Sequence, residues 1–194
     1  MQPDQALEEL RSRERRHLAG GSPVFLWPLA IVMALAGGVF GIFGAFVSEL
    51  RAGGGVLIIV LGAPIIEEAI KPSGVYLLLL RWPLFATGRW RIAFLAALGG
   101  LAFGLIEATV YVTVYAPDAS SWFFLYRFSV PLALHTVTSF VFGLGINRHV
   151  LDWAAGRRPF PETSRNFFLA AVSIHALYNL IAVILEFSGV LDFD

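Results

Sequence analysis

Pro64-Ile65-Ile66-Glu67-Glu68-Ala69-Ile70-Lys71-Pro72 places two carboxylates and an ammonium inside a run, residues 55–80, that is otherwise apolar. A charge at the centre of a membrane helix costs about 2.5–3.5 kcal/mol, so this cluster demands compensation from its neighbours. Glu67 and Lys71 stand four apart on one helix face and can pair. Glu67 and Glu68 point about 100° apart, so one can face a cavity while neighbouring helices hold the other, and their chemical roles should differ. Pro72 removes the helical bond to the Glu68 carbonyl and Pro64 the bond to that of Val60. The backbone there can bend and offer polar groups.

The surrounding chain identifies the solvent. Of its 194 residues 57% are hydrophobic and 14% charged, and the mean hydropathy is +0.73, more apolar than a water-soluble domain tolerates. Five stretches, at approximately 24–48, 55–80, 91–115, 123–147 and 166–187, are long enough to cross about 30 Å of hydrocarbon. The expected fold is therefore all-α, a polytopic integral membrane bundle of about five transmembrane helices. Net charge is zero, which gives no argument for a nucleic-acid partner. The absence of cysteine excludes thiol nucleophiles, disulfides and cysteine metal sites.

Charge in the short loops sets an orientation. Arg11, Arg13, Arg15 and Arg16 precede the first span, Arg81, Arg89 and Arg91 lie in the second connection, and Arg148, Arg157, Arg158 and Arg165 lie in the fourth. The other connections carry Arg51 alone and Arg127 alone, and the tail holds only Asp192 and Asp194. The positive-inside bias makes this N-in and C-out. Trp27, Trp82, Trp90, Trp122 and Trp153 fall at or near the helix ends, as an aromatic belt requires. The arginine-rich start lacks a short h-region and an Ala-x-Ala-like exit, so it does not read as a cleaved signal peptide. Residues 1–22 read as a cytoplasmic extension and 23–194 as one membrane domain. Gly37, Gly38, Gly41 and Gly44 give the first helix a face that lets a neighbour approach closely.

Further polar residues interrupt the later helices: Glu107 in the third, His135 in the fourth, and His175 with Asn179, one turn apart, in the fifth. Measured from the outer end of each span, these and Glu67 lie about 8–13 residues deep, roughly 12–20 Å at helical rise. For Asn179 the competing role is an interhelical hydrogen bond; for Glu67 and Glu68 it is an ion pair with Lys71 that only orders the bundle; for Glu107 structural and catalytic roles compete. Phe103 and Tyr178 read as packing groups, His17 and His149 as solvated loop residues, and Glu186 as a snorkelling charge outside the site.

Glutamate in a low-dielectric site can act as a base on water, and a nearby histidine can bind a metal or stabilise an oxyanion. Asp118, Asp152, Asp192 and Asp194 lie in loops or the tail, and no serine, cysteine or aspartate pair supplies another hydrolytic mechanism. Glu67-Glu68-x-x-Lys71, Phe103-x-x-x-Glu107, the isolated His135 and His175-x-x-x-Asn179, in that order on successive helices, resemble the PrsW family of intramembrane proteases, within the wider group of CAAX-processing (Rce1-type) proteases and the Aph-1 scaffold. The resemblance covers helices 2 to 5. It implies a membrane endopeptidase in which Glu67 or Glu68 activates water while His135, His175 and Asn179 complete the site, with Glu107 nearby. It further implies a membrane-anchored, anti-sigma-factor-like substrate cut near the extracytoplasmic side, in a bacterial or archaeal cytoplasmic membrane.

The chain departs from the Rce1-type pattern, which has arginine one position after Lys71 and histidine at Glu107; it also has Ala108 where the PrsW glutamate is often followed by asparagine. CAAX processing is thereby disfavoured. Glu67, His135 and His175 would make a zinc triad, and the same residues serve equally without metal. Two other readings remain beside the protease: a non-catalytic scaffold similar to Aph-1, and a small proton-coupled transporter. The second lacks the matched halves that many transporters show.

Overall fold

Without water to satisfy it, the backbone of an apolar chain must bond to itself, and every regular element among the described residues is helical. The computed structural model describes residues 26–52, 55–82 and 88–188, with isolated positions 5, 8, 9, 11 and 12. Apart from those positions the extension at 1–22 lies outside the described residues, as do Asp192 and Asp194. The helices are α1 (Leu26–Ala52), α2 (a π-helical Ile58–Gly62 running into Ala63–Ile70), α3 (Ser73–Arg81), α4 (Arg89–Val110, prolonged by a π-helical Tyr111–Tyr115), α5 (Ser121–Arg127), α6 (Val130–Gly143), α7 (His149–Ala154) and α8 (Glu162–Phe187).

Among the described residues three helices are long and apolar enough to cross a membrane: Leu26–Val47, Arg89–Tyr115 and Glu162–Phe187. Burial follows the inverse of a soluble protein. Leu57, Phe40, Phe43 and Phe94 are exposed, while Glu67, Glu68, Lys71, His135, Thr138, Ser139, Ser164 and His175 are buried. Such a surface requires an apolar solvent.

The expected helix at 55–80 is broken. α2 ends at Ile70 and α3 restarts at Ser73, because Pro72 has no N–H for the Glu68 carbonyl. The expected helix at 123–147 is also not continuous. Pro131 has no N–H for the Arg127 carbonyl, so α5 stops at Arg127 and α6 starts at Val130, ending at Gly143. The Ser129 hydroxyl donates to the Leu125 carbonyl at 2.6 Å across that break. α8 begins at Glu162, directly after Pro161, earlier than expected, and the loop before it contains the short α7.

The glycine face of α1 sets the packing. A Cβ on Gly38 would run into the Gly99 carbonyl of α4, one on Gly37 into the backbone nitrogen of Gly74 in α3, and one on Gly99 would stand 2.8 Å from the Lys71 carbonyl oxygen. Backbones can approach this closely only without side chains between them. Gly100 likewise meets the His135 carbonyl of α6. Ala30, Ala34, Val75, Leu78, Leu79, Ile92, Leu95 and Phe142 fill one end of the bundle with an apolar core. The Arg81–Arg91 connection and α7 belong to that end: Arg89 stacks on Phe167 and Arg91 on Trp27.

Gly38→Val should lower the thermal midpoint of the detergent-purified protein by the cost of overpacking, about 1–3 kcal/mol. Gly41→Ala, whose Cβ would meet its neighbours at an ordinary 3.4 Å, should leave the midpoint nearly unchanged.

Candidate active site

Beyond the apolar core, at the other end of the bundle, a cavity of about 770 Å³ opens between α2, α4, α5, α6 and α8. Its rim is formed by Ala116, Pro117, Asp118, Ala119 and Glu186, and its floor by Glu67, Glu107, His135 and His175. Glu186 therefore borders the cavity, which corrects the expectation that it stands apart from the site: one face of α8, from His175 through Tyr178, Asn179, Ala182 and Val183, runs along the cavity to its mouth. The two π-helical segments line it as well, through Ile58, Ile59, Tyr111 and Tyr115. π-turns recur at functional sites because they widen a helix and re-aim its side chains.

Lys71, fully buried, lies at the centre of the polar cluster beneath the floor. Its Nζ lies 2.8 Å from Glu68 Oε1, 2.7 Å from His135 Nδ1 and 3.2 Å from Glu67 Oε2, and 4.5 Å from the centroid of the Phe103 ring. Phe103 thus packs as expected but also caps the ammonium with its π-face. An ammonium has protons and no lone pair, so it donates to His135 Nδ1. That assigns the ring proton to Nε2, which donates to Glu107 Oε2 at 2.7 Å. Glu107 also accepts from Arg127 Nη2 at 3.1 Å, and the guanidinium lies 3.6 Å from the Tyr111 ring centroid.

The adjacent glutamates have separate environments. Glu68 is fully buried and lines no part of the cavity. Its Oε1 accepts from Lys71, from Thr138 Oγ1 at 2.9 Å and from His175 Nδ1 at 2.8 Å. With its Nδ1 proton so engaged, His175 directs the Nε2 lone pair towards Glu67. Glu67 faces the cavity, and its buried Oε2 has no hydrogen-bond partner among the described residues, the Lys71 contact lying outside hydrogen-bond geometry.

Glu67 Oε2 is 3.8 Å from His135 Nδ1 and 3.9 Å from His175 Nε2, and one ligand atom from each of the three residues lies within 4.8 Å of the others. A tetrahedral zinc with bonds of about 2.0–2.2 Å holds its ligands roughly 3.3–3.5 Å apart, so each Glu67–histidine distance would have to contract by about 0.5 Å and the two imidazoles would have to draw together as well. The donor chemistry fits: two imidazoles and a carboxylate, with Glu107 and Glu68 bonded to the far nitrogens of the two rings as orienting carboxylates are in zinc sites. A metal on His135 Nδ1 would displace the Lys71 contact.

All six residues singled out from the sequence border this region, Glu68 from behind. Asn179 lines the cavity, but its amide Nδ2 donates to the Ile59 carbonyl at 2.8 Å. Sequence reasoning missed Thr138, an unremarkable hydroxyl in an apolar helix. It also took Arg127 for a topological marker and Tyr178 for packing alone, whereas the Tyr178 hydroxyl bonds that of Tyr126 at 2.6 Å. His149, expected to be solvated, contacts Asp152 and Arg158 far from the cavity.

A family model described as PrsW family intramembrane metalloprotease matches residues 16–192, nearly the whole chain. No curated protein and no solved structure matches it.

Lys71→Met should destabilise the protein by about 3–5 kcal/mol, since it leaves the Glu68 carboxylate buried without its cation. Thermal unfolding in detergent reads the loss, and adding Glu68→Gln to Lys71→Met should recover part of it.

Proposed function

The chain belongs to the PrsW family of intramembrane metalloproteases, and from that premise we propose that Glu67 is the general base of a peptide-bond hydrolysis carried out in the cavity floor. The family is one of intramembrane peptidases, so the protein is a membrane hydrolase. The observation that carries the assignment is the unequal placement of the two glutamates: each has an Oε2 without a hydrogen-bond partner among the described residues, but Glu67 lines the cavity, whereas Glu68 lies behind it with its Oε1 shared by three donors.

A water held between Glu67 Oε2 and His175 Nε2 gives up a proton to Glu67 as its oxygen attacks the scissile carbonyl carbon. Glu67 then delivers that proton to the departing amine as the C–N bond breaks. Glu68 holds His175 through Nδ1, and Glu107 holds His135 through Nε2, so both rings meet the substrate in fixed tautomers. A zinc ion held by Glu67, His135 and His175 would take the lone pairs of Glu67 Oε2 and His175 Nε2, and so would supply Lewis-acid polarisation of water and carbonyl in place of that water bridge.

The substrate in this reading is a membrane-anchored protein of the anti-sigma-factor type. The chain crosses a bacterial or archaeal cytoplasmic membrane five times, N-in and C-out, with residues 23–194 as one domain and the breaks at Pro72 and before Pro131 inside spans 2 and 4. The cavity mouth at residues 116–119 and 186 lies at the end opposite the arginine-rich connections, and under the positive-inside rule this makes it extracytoplasmic.

Glu67→Gln should slow cleavage of a co-expressed single-pass reporter by about 10²–10⁴-fold, and His175→Ala should abolish it, with helical content and gel-filtration profile retained. Undiminished cleavage by Glu67→Gln would sink the assignment. Elemental analysis of the purified protein should find about one zinc per chain, lost in His175→Ala.

A further inference from the structure

In the π-helical start of α2, the Ala63 amide donates five residues back to the Ile58 carbonyl. The next bond in that register would run from residue 64 to the Ile59 carbonyl, and residue 64 is proline, which has no N–H. The α-helical alternative, from Ala63 to Ile59, is foreclosed because the Ala63 amide is already used. Ile59 is thus a carbonyl deprived of a backbone donor in both registers, in a region where leaving an acceptor unsatisfied is costly. Asn179 Nδ2 donates to it at 2.8 Å.

We infer that Asn179 is a positioning residue, whose amide supplies the hydrogen bond that Pro64 denies to Ile59 and thereby fixes the π-to-α junction of α2 in front of Glu67. One turn earlier on the same helix, His175 bonds Glu68. The two ties run from 175 to 68 and from 179 to 59, so α8 is antiparallel to α2 and grips it on both sides of Pro64 and Glu67. The His175-x-x-x-Asn179 spacing then has a mechanical reason: a single turn of α8 reaches both the buried carboxylate and the interrupted backbone. The catalytic consequence rests on Glu67 being the base; the clamp itself does not.

A double-mutant cycle between Asn179→Ala and Pro64→Ala tests this, read in thermal midpoint and in cleavage rate of a single-pass membrane reporter. Alanine at 64 restores a backbone donor to Ile59, from residue 64 in the π register or from Ala63 if the helix reverts to the α register. Asn179→Ala alone should lower the midpoint and slow cleavage at least tenfold; in the Pro64→Ala background it should change the rate less than about twofold and barely move the midpoint. Equal losses in both backgrounds would overturn the proposal and return Asn179 to direct contact with the reacting groups. If the wild type cleaves no reporter, the peptidase reading fails on that measurement. The midpoint cycle still decides the clamp: coupling supports it, and additivity overturns it.

Discussion

An ammonium with no access to water must be surrounded by acceptors, and Lys71 is so surrounded: by Glu67 and Glu68 of its own helix, by His135 of α6 and by the face of Phe103 from α4. Glu68 extends the arrangement to α8 through His175 and makes a second contact with α6 through Thr138. Four helices are therefore tied to one charge cluster. Any rotation of one helix about its axis would strand a buried charge, at a cost several times that of an ordinary packing defect. The reactive groups inherit their fixed orientation from this requirement, because Glu67 and His135, which contact Lys71, also line the cavity, and His175 is held by Glu68.

Proline adds a second constraint. Pro64, Pro72 and Pro131 each remove a helical donor next to the polar layer; the Asn179 side chain repairs the gap at Ile59, and the Ser129 hydroxyl caps the Leu125 carbonyl at the break before Pro131. Straight helices would not leave this cavity. The break at Pro72 lets Lys71 sit at the end of α2 between its partners, and the break at residues 128–129 lets α5 bring Arg127 against Glu107 and Tyr126 against Tyr178. In the rest of the bundle small residues on α1, α3 and α4 bring backbones together, Gly37 against Gly74 and Gly38 against Gly99.

The two glutamates show how a single position in sequence separates chemistry from support. Glu67 and Glu68 cost the same to insert, yet one faces the cavity and the other turns away from it to accept from three donors. Glu107, at the edge of the cavity, resembles Glu68 in role, since it fixes the tautomer of His135 as Glu68 fixes that of His175. The site is thus built of one carboxylate that faces the cavity without an imidazole to hold and two that act on imidazoles.

The sequence by itself determined the bilayer as solvent, the all-helical fold, the glycine face of the first helix and the residues too costly to bury without purpose. Each of these is a per-residue quantity, a transfer energy, a steric volume or a missing N–H, and is readable wherever the residue stands in the chain. The break before Pro131 was in principle readable too, from the same rule that marked Pro72, but the apolar run around it hid the signal. Only the tertiary structure decided which glutamate faces the cavity, which partner each histidine nitrogen meets, that Arg127 and Glu186 border the site, and that Asn179 meets a carbonyl 120 residues away. Those outcomes depend on how each helix is rotated and which helix stands opposite. That is set jointly by glycine contacts and charge pairing across several helices, and no local spacing contains it.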